Sequence, residues 1–281
     1  MEALANSARS RGSAVVAGLD PDPARLPREV REQRLPEARA VSEFCRGILE
    51  AVEPEVAAVK LQSAYFERLG PPGMEVYASL IEAARELELP VIADVKRGDI
   101  GPVAAAYAEA HLGVYGASCV TVNPYMGADA VLPFLEEVRR LGRGGGVFVL
   151  VATSNPSAEA LQGSGEPPLF EAVAGLVAEL GRGSGGYPDA GAVVGATRPE
   201  VGRRVRELLP RALFLVPGYG AQGGGGAEIR SLLDTAGRGV LVNSSRGIIY
   251  DHETAGGDYR SAAREAAREM RGELSAAGVR P

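Results

Sequence analysis

The sequence predicts an α/β protein built as a (β/α)8 TIM barrel, and three observations carry that expectation. Eight short apolar or β-branched runs recur along the 281 residues. A helix-like segment follows each of them, and the length suits one barrel domain spanning residues 1–281. The runs show little polar alternation, which marks strands of a parallel sheet covered by helices on both faces. A doubly wound open sheet is the second architecture compatible with this order.

The first strand is expected at residues 14–20, an apolar run closed by Asp20, with the amphipathic segment 37–51 after it. The second, 56–62, carries Lys60 and leads into a helix at 74–87. The third, 90–96, carries Asp94 and Lys96 and leads into 102–112. Cys119 sits as a small core residue in the fourth, 118–123, which precedes the helix 128–141. The fifth, 146–153, runs into Thr153-Ser154 and a Gly/Pro/Ser-rich stretch at 155–168, before a helix at 171–180. The sixth, 191–196, precedes 199–208. The seventh, 213–217, opens a glycine-rich stretch at 218–226 and then a helix at 227–236. The eighth, 239–244, is followed by a last helix at 259–275. The two soft loops, at what would be the barrel mouth, are candidates for a lid. No internal repeat or linker divides the chain.

Composition excludes several classes of function. A net charge of −6 leaves no basic surplus to neutralise nucleic acid, and the basic residues are spread along helices. Cys45 and Cys119 cannot make a disulfide framework, and no Cys/His spacing reads as a metal site. His111 and His252 have no evident ligand or triad partner close in sequence. Residues 1–12 carry charges and no apolar h-region, and no run approaches 18 apolar residues. The expectation is a soluble, cytoplasmic protein with no membrane or nucleic-acid partner.

Of the 30 basic residues 28 are arginine, and the two lysines are Lys60 and Lys96. Both stand at the carboxyl ends of apolar runs, where a barrel builds its active site. A guanidinium stays protonated, whereas an ammonium can give up a proton. Two lysines kept at strand ends in so arginine-rich a chain therefore suggest proton chemistry. Side chains alternate along a strand, so Asp94 and Lys96 are expected to point together into the barrel mouth. Ala93 and Val95 then face the helices. Asp99 lies just beyond.

The chain's last quarter has a different chemistry. Strand seven runs into Pro217-Gly218-Tyr219-Gly220-Ala221-Gln222-Gly223, and strand eight into Asn243-Ser244-Ser245-Arg246-Gly247. Glycines let backbone N–H groups approach an anion, and the loops after strands seven and eight are this fold's usual phosphate site. Arg246 adds a two-pronged charged donor. Gly220, Gly223 and Ser245 are the candidate phosphate loop.

Asp94-Val95-Lys96-Arg97-Gly98-Asp99-Ile100-Gly101 resembles the D-x-K-x-x-D signature of the orotidine 5′-phosphate decarboxylases, in their bacterial type 2 form. Gly18-Leu19-Asp20, Val59-Lys60 with Gln62, Phe66-Glu67 and Thr153-Ser154-Asn155-Pro156 are similar to the same family. So are Val194-Gly195-Ala196-Thr197, the segment Val216-Pro217 through Gly223, and Asn243-Ser244-Ser245-Arg246 through Tyr250. These matches fall in the family's order and span most of the chain.

The resemblance implies roles. Lys96 would donate a proton to C6 of the pyrimidine once carbon dioxide leaves, and Asp94 would lie beside the substrate carboxylate. Lys60 would bridge toward the ribose hydroxyls, which Asp20 would bind. Asp99 would reach across a homodimer interface to complete a Lys-Asp-Lys-Asp array. Ser154 would meet the pyrimidine edge, and Gln222 and Arg246 the 5′-phosphate. The substrate would be orotidine 5′-monophosphate and the product uridine 5′-monophosphate, with no metal or organic cofactor required. Where the family commonly has Ser-Thr after Asp-Ile-Gly, this chain has Pro102-Val103.

Elementary chemistry leads the same way. Decarboxylation leaves a carbanion with no ring group well placed to delocalise it, so fixed charge close to that carbon must stabilise it. Carboxylates flanking Lys96 favour an ammonium there. That argues against a Schiff-base aldolase, whose lysine must be neutral to attack. A metal-dependent sugar-phosphate decarboxylase would need further acidic ligands. A non-catalytic phosphate-binding barrel would have no need of both lysines.

Overall fold

The computed structural model describes residues 1–183, 186–219 and 226–281. Eight strands form a closed barrel in sequence order: β1 Val15–Leu19, β2 Ala58–Gln62, β3 Val91–Arg97, β4 Cys119–Val122, β5 Gly146–Ala152, β6 Ala190–Val194, β7 Phe214–Val216 and β8 Val240–Ser244. Every neighbouring pair is parallel, and β8 closes on β1 with Val16 opposite Asn243. The open doubly wound alternative is thereby set aside.

Strand alternation sorts the core into two layers. Val16, Ala58, Ile92, Cys119, Phe148, Val193, Leu215 and Leu241, one from each strand, fill the barrel interior. Their neighbours, such as Val15, Val59, Ala93 and Val149, face outward onto Phe44, Ile48, Tyr77 and Leu135 of the helices. Each fully buried large apolar side chain stabilises the fold by about 1.5–3 kcal/mol. Above the apolar plug the inward positions turn polar: Lys60 and Gln62 on β2, Asp94 on β3, Thr121 on β4 and Asn243 on β8.

The amphipathic segments form helices with small boundary changes. Glu37–Val52, Pro199–Leu208 and Tyr259–Ala276 match expectation to within a residue. Gly70–Glu86 begins earlier than expected because Pro71 and Pro72 fit its first turn, where no intrahelical N–H is required. The segment expected at 102–112 is α-helical only over Gly101–Ala108; it widens into π-type turns over Glu109–Val114, where His111 and Leu112 are buried. The helix after β7 is shorter than expected, Gly226–Arg230, and Asp234 then holds a turn by accepting the Ala236 and Arg238 N–H groups at 2.8 Å each.

Two further features stand apart from the sequence expectation. A helix at Glu2–Arg11 precedes β1, and Met1, Leu4 and Ala8 pack beneath the inner core. The stretch 155–168 is not bare loop, because it contains the helix Ala158–Gln162. Gln162 ties it to the end of β5, accepting the Thr153 N–H at 2.9 Å and donating to its hydroxyl at 2.7 Å. No helix among the described residues is long and apolar enough to cross a membrane.

Candidate active site

Asp20, Lys60, Asp94 and Lys96 come together at the carboxyl ends of β1, β2 and β3. Lys60 Nζ lies 3.4 Å from Asp20 Oδ1 and 3.0 Å from Asp94 Oδ2, while Lys96 Nζ lies 2.5 Å from Asp94 Oδ1. Register places Gln62 opposite Asp94, and its Nε2 donates to Oδ2 at 3.1 Å. The Thr121 hydroxyl donates to Oδ1 at 2.8 Å. Asp94 thus receives four donors and is 6% exposed, and Lys60 is 5% exposed.

Charge decides the protonation of the two buried groups. Burial alone would push Asp94 up, but Lys60 and then Lys96 overcome it and hold the carboxyl well below the ordinary range. Burial alone would push Lys60 down, yet Asp20 and Asp94 carry it above the usual lysine value. Lys60 is therefore an ammonium, which rules against its acting as a Schiff-base nucleophile.

Asp94 and Lys96 meet as expected, although simple alternation does not deliver them. The β3–β4 ladder pairs Ala93 with Val120 and next Arg97 with Val122, so β3 bulges over the intervening residues. Lys96 adopts a φ of 46°, in the left-handed region rarely taken by a side-chain-bearing residue. Its N–H leaves the ladder and donates to the Thr121 hydroxyl at 2.9 Å. A side chain in that conformation costs of order 1 kcal/mol or more and marks a functional site when the surroundings impose it.

The charged row lines two cavities, with Pro217 in the wall of both. One of about 200 Å³ is lined by Asp20, Lys60, Asp94, Tyr219, Ser245 and Arg246. The other, of about 610 Å³, is lined by Lys96, Asn123, Leu150, Ser154, Val193 and Pro217. A polar compartment beside Arg246 suits an anion, and the larger, more apolar one suits a flat ring. Gly18 in β1 is required beneath the first, because a methyl group there would stand 1.9 Å from Ser245 Oγ. Gly195 similarly makes room for Ser154, whose backbone N would lie 3.0 Å from an added methyl.

Asp99, expected to serve the partner's site, stands apart from this chain's own lysines, and its Oδ1 accepts the N–H of its neighbour Ile100 at 2.8 Å. Gly220, Gln222 and Gly223 lie outside the described residues. Thr121 and Tyr250 were not singled out in the sequence for any role. The Tyr250 hydroxyl, from beyond β8, donates to the Asp20 carbonyl at 3.3 Å and accepts the Asp22 N–H at 2.5 Å, fixing the end of β1. Thr121's signal was a polar residue on an inward strand position; Tyr250's contact, 230 residues away, left none.

Fold and site together define a (β/α)8 barrel of the enzyme class, with a row of alternating charges at the carboxyl ends of its first three strands. The chain belongs to the orotidine 5′-phosphate decarboxylase / HUMPS family, whose model matches residues 13–265. It is 42% identical over 259 residues to the orotidine 5′-phosphate decarboxylase of Rhodopirellula baltica, covering 86% of this chain and 85% of that protein. The protein of the same name from Deinococcus radiodurans is 41% identical over 281 residues, 98% of this chain and 97% of its own. Among solved structures, the OMP decarboxylase of Leishmania donovani matches with a TM-score of 0.79 at 33% identity, covering 98% of this chain and 97% of that one.

Proposed function

We propose that this chain is a cofactor-independent carboxy-lyase of the cytoplasm, a single barrel domain converting orotidine 5′-monophosphate to uridine 5′-monophosphate and carbon dioxide in pyrimidine biosynthesis. The observation that carries the reading is the Asp20–Lys60–Asp94–Lys96 row, three members of which line a polar cavity while Lys96 lines a larger, more apolar one. The phosphate would bind beside Arg246 and Ser245, and the resemblance adds Gln222, Gly220 and Gly223, which lie outside the described residues. Asp20 and Lys60 would hold the ribose hydroxyls, and the pyrimidine would enter the larger cavity toward Ser154.

In that pose the substrate carboxylate faces Asp94. The bond from C6 to the carboxyl carbon breaks, carbon dioxide leaves, and the electron pair stays on C6. The Lys96 ammonium stabilises that charge and then gives C6 its proton, leaving a neutral amine that solvent reprotonates. Loss of carbon dioxide also relieves the like-charge contact with Asp94. Phosphate binding, remote from C6, supplies energy to close the site.

The same reading makes the enzyme a homodimer in which Asp99 serves the partner's site. Supporting it, Ile100 at 50% exposure, Val103 at 49%, Tyr107 at 36% and Val114 at 74% are exposed apolar side chains along the segment that follows Asp99, the Gly101–Ala108 helix and its extension. Exposed large apolar groups clustered in this way mark an interface. Pro102 fits the helix's first turn, and Val103 adds to the apolar row, so the pair replacing Ser-Thr favours contact between subunits.

A mixing experiment tests this arrangement. Lys96→Ala and Asp99→Asn are each expected to be inactive alone. Co-expressed, they should recover about a quarter of wild-type decarboxylation, because each mixed dimer of a twofold pair holds one intact site. Absence of recovery from demonstrably mixed dimers would contradict a shared site.

A further inference from the structure

We propose that Thr121 is a positioning residue that sets the geometry of Lys96 for proton donation. The inference rests on the decarboxylation reading above. One hydroxyl fixes both ends of the reactive lysine. Its oxygen accepts the Lys96 N–H at 2.9 Å, taking the place of the strand partner that the β3 bulge removes. Its proton goes to Asp94 Oδ1 at 2.8 Å, the same oxygen that lies 2.5 Å from Lys96 Nζ.

The direction of these bonds is forced. A carboxylate only accepts and a backbone N–H only donates, so a single hydroxyl serves both in one orientation. Thr121 is 1% exposed and its β-branched side chain is stiff, so the hydroxyl is held rather than mobile. It lines neither cavity, which keeps it off the substrate and confines its effect to Lys96 and Asp94. Lys96 sits at a φ of 46° just before Arg97, where the ladder resumes opposite Val122 and the Arg97 carbonyl accepts the Asn123 N–H at 2.7 Å; the Thr121 hydroxyl holds the Lys96 N–H inside the bulge. Misplacing a catalytic group by about 1 Å costs about 100-fold in rate.

Thr121→Val keeps shape, burial and strand preference while deleting both hydrogen bonds. It is expected to lower kcat on orotidine 5′-monophosphate by about 10- to 100-fold with KM changed less than about threefold, since ground-state contacts are untouched. Thr121→Ser restores the hydroxyl and should bring kcat back to within about threefold of wild type. A crystal structure of the valine variant should show Lys96 out of the left-handed region or its ammonium withdrawn from Asp94. Unchanged kcat in Thr121→Val, or a folded Thr121→Ser that fails to rescue, overturns the proposal. So does a valine variant whose Lys96 keeps its φ and its Asp94 contact, whatever the turnover. The wild-type rate, measured alongside, separates this outcome from failure of the decarboxylation reading.

Discussion

Lys96→Ala is expected to lower orotidine 5′-monophosphate decarboxylation by about 10⁴-fold or more while leaving the barrel folded. Two losses multiply. The carbanion at C6 loses its nearest fixed positive charge, an effect worth about 10²–10³. It also loses its proton donor, worth about a further 10²–10⁴. Stability should change little, because the Lys96 side chain is 44% exposed and Asp94 keeps Lys60, Gln62 and Thr121. Alanine at a φ of 46° is as strained as lysine, since both carry a Cβ. Steady-state rates and thermal unfolding of the variant check both halves. A folded variant within tenfold of wild type would remove Lys96 from the chemistry.

Asp94→Asn is expected to abolish activity and also to destabilise the fold, by about 3 kcal/mol or more, as for other buried pairs that lose one member. All four groups around Asp94 donate to it. Thr121 and Gln62 can turn to meet an amide, but two ammonium groups cannot accept a hydrogen bond. Lys60 would stay buried with only Asp20 at 3.4 Å to balance it. The pH dependence has a defined sign. Because the folded state holds the Asp94 carboxyl below its ordinary value, its contribution is present in full above the unfolded carboxylate pKa, about 3.9, and is lost as pH falls further. The stability gap between wild type and variant should be flat from about pH 8 to 5 and narrow below about pH 4. Denaturant midpoints across that range measure it; an equal midpoint at neutral pH would show that the pair does not stabilise the fold.

What the sequence conveyed and what it withheld follow from the range of the interactions. Apolar runs report strands buried on both faces, so all eight strands and the positions of Asp20, Lys60 and Asp94 at their ends were legible. The scarcity of lysine drew attention to Lys60 and Lys96 before any geometry was known. Lys96's left-handed conformation was not legible, because it sits in a bulge that alternation does not foresee and its N–H finds its acceptor in a hydroxyl 25 residues later in the chain. The clamp from Tyr250 to the Asp20–Asp22 turn joins opposite ends of the sequence and leaves no local pattern. The helix Glu2–Arg11 is short, and only Leu4, Ala5, Ser7 and Ala8 of it are buried, so its packing beneath the barrel was hidden among charges. Asp99 read as part of the array because it falls in the D-x-K-x-x-D signature. Within one chain its carboxylate accepts its own neighbour's N–H, and the partner subunit is where its proposed role lies.

The central claim is tested most directly by following the absorbance of orotidine 5′-monophosphate with the purified wild-type protein in the presence of EDTA, while assaying the products. The account predicts rapid loss of substrate, with uridine 5′-monophosphate and carbon dioxide formed in equal amounts and no effect of the chelator. Substrate left intact by folded, dimeric protein would contradict it.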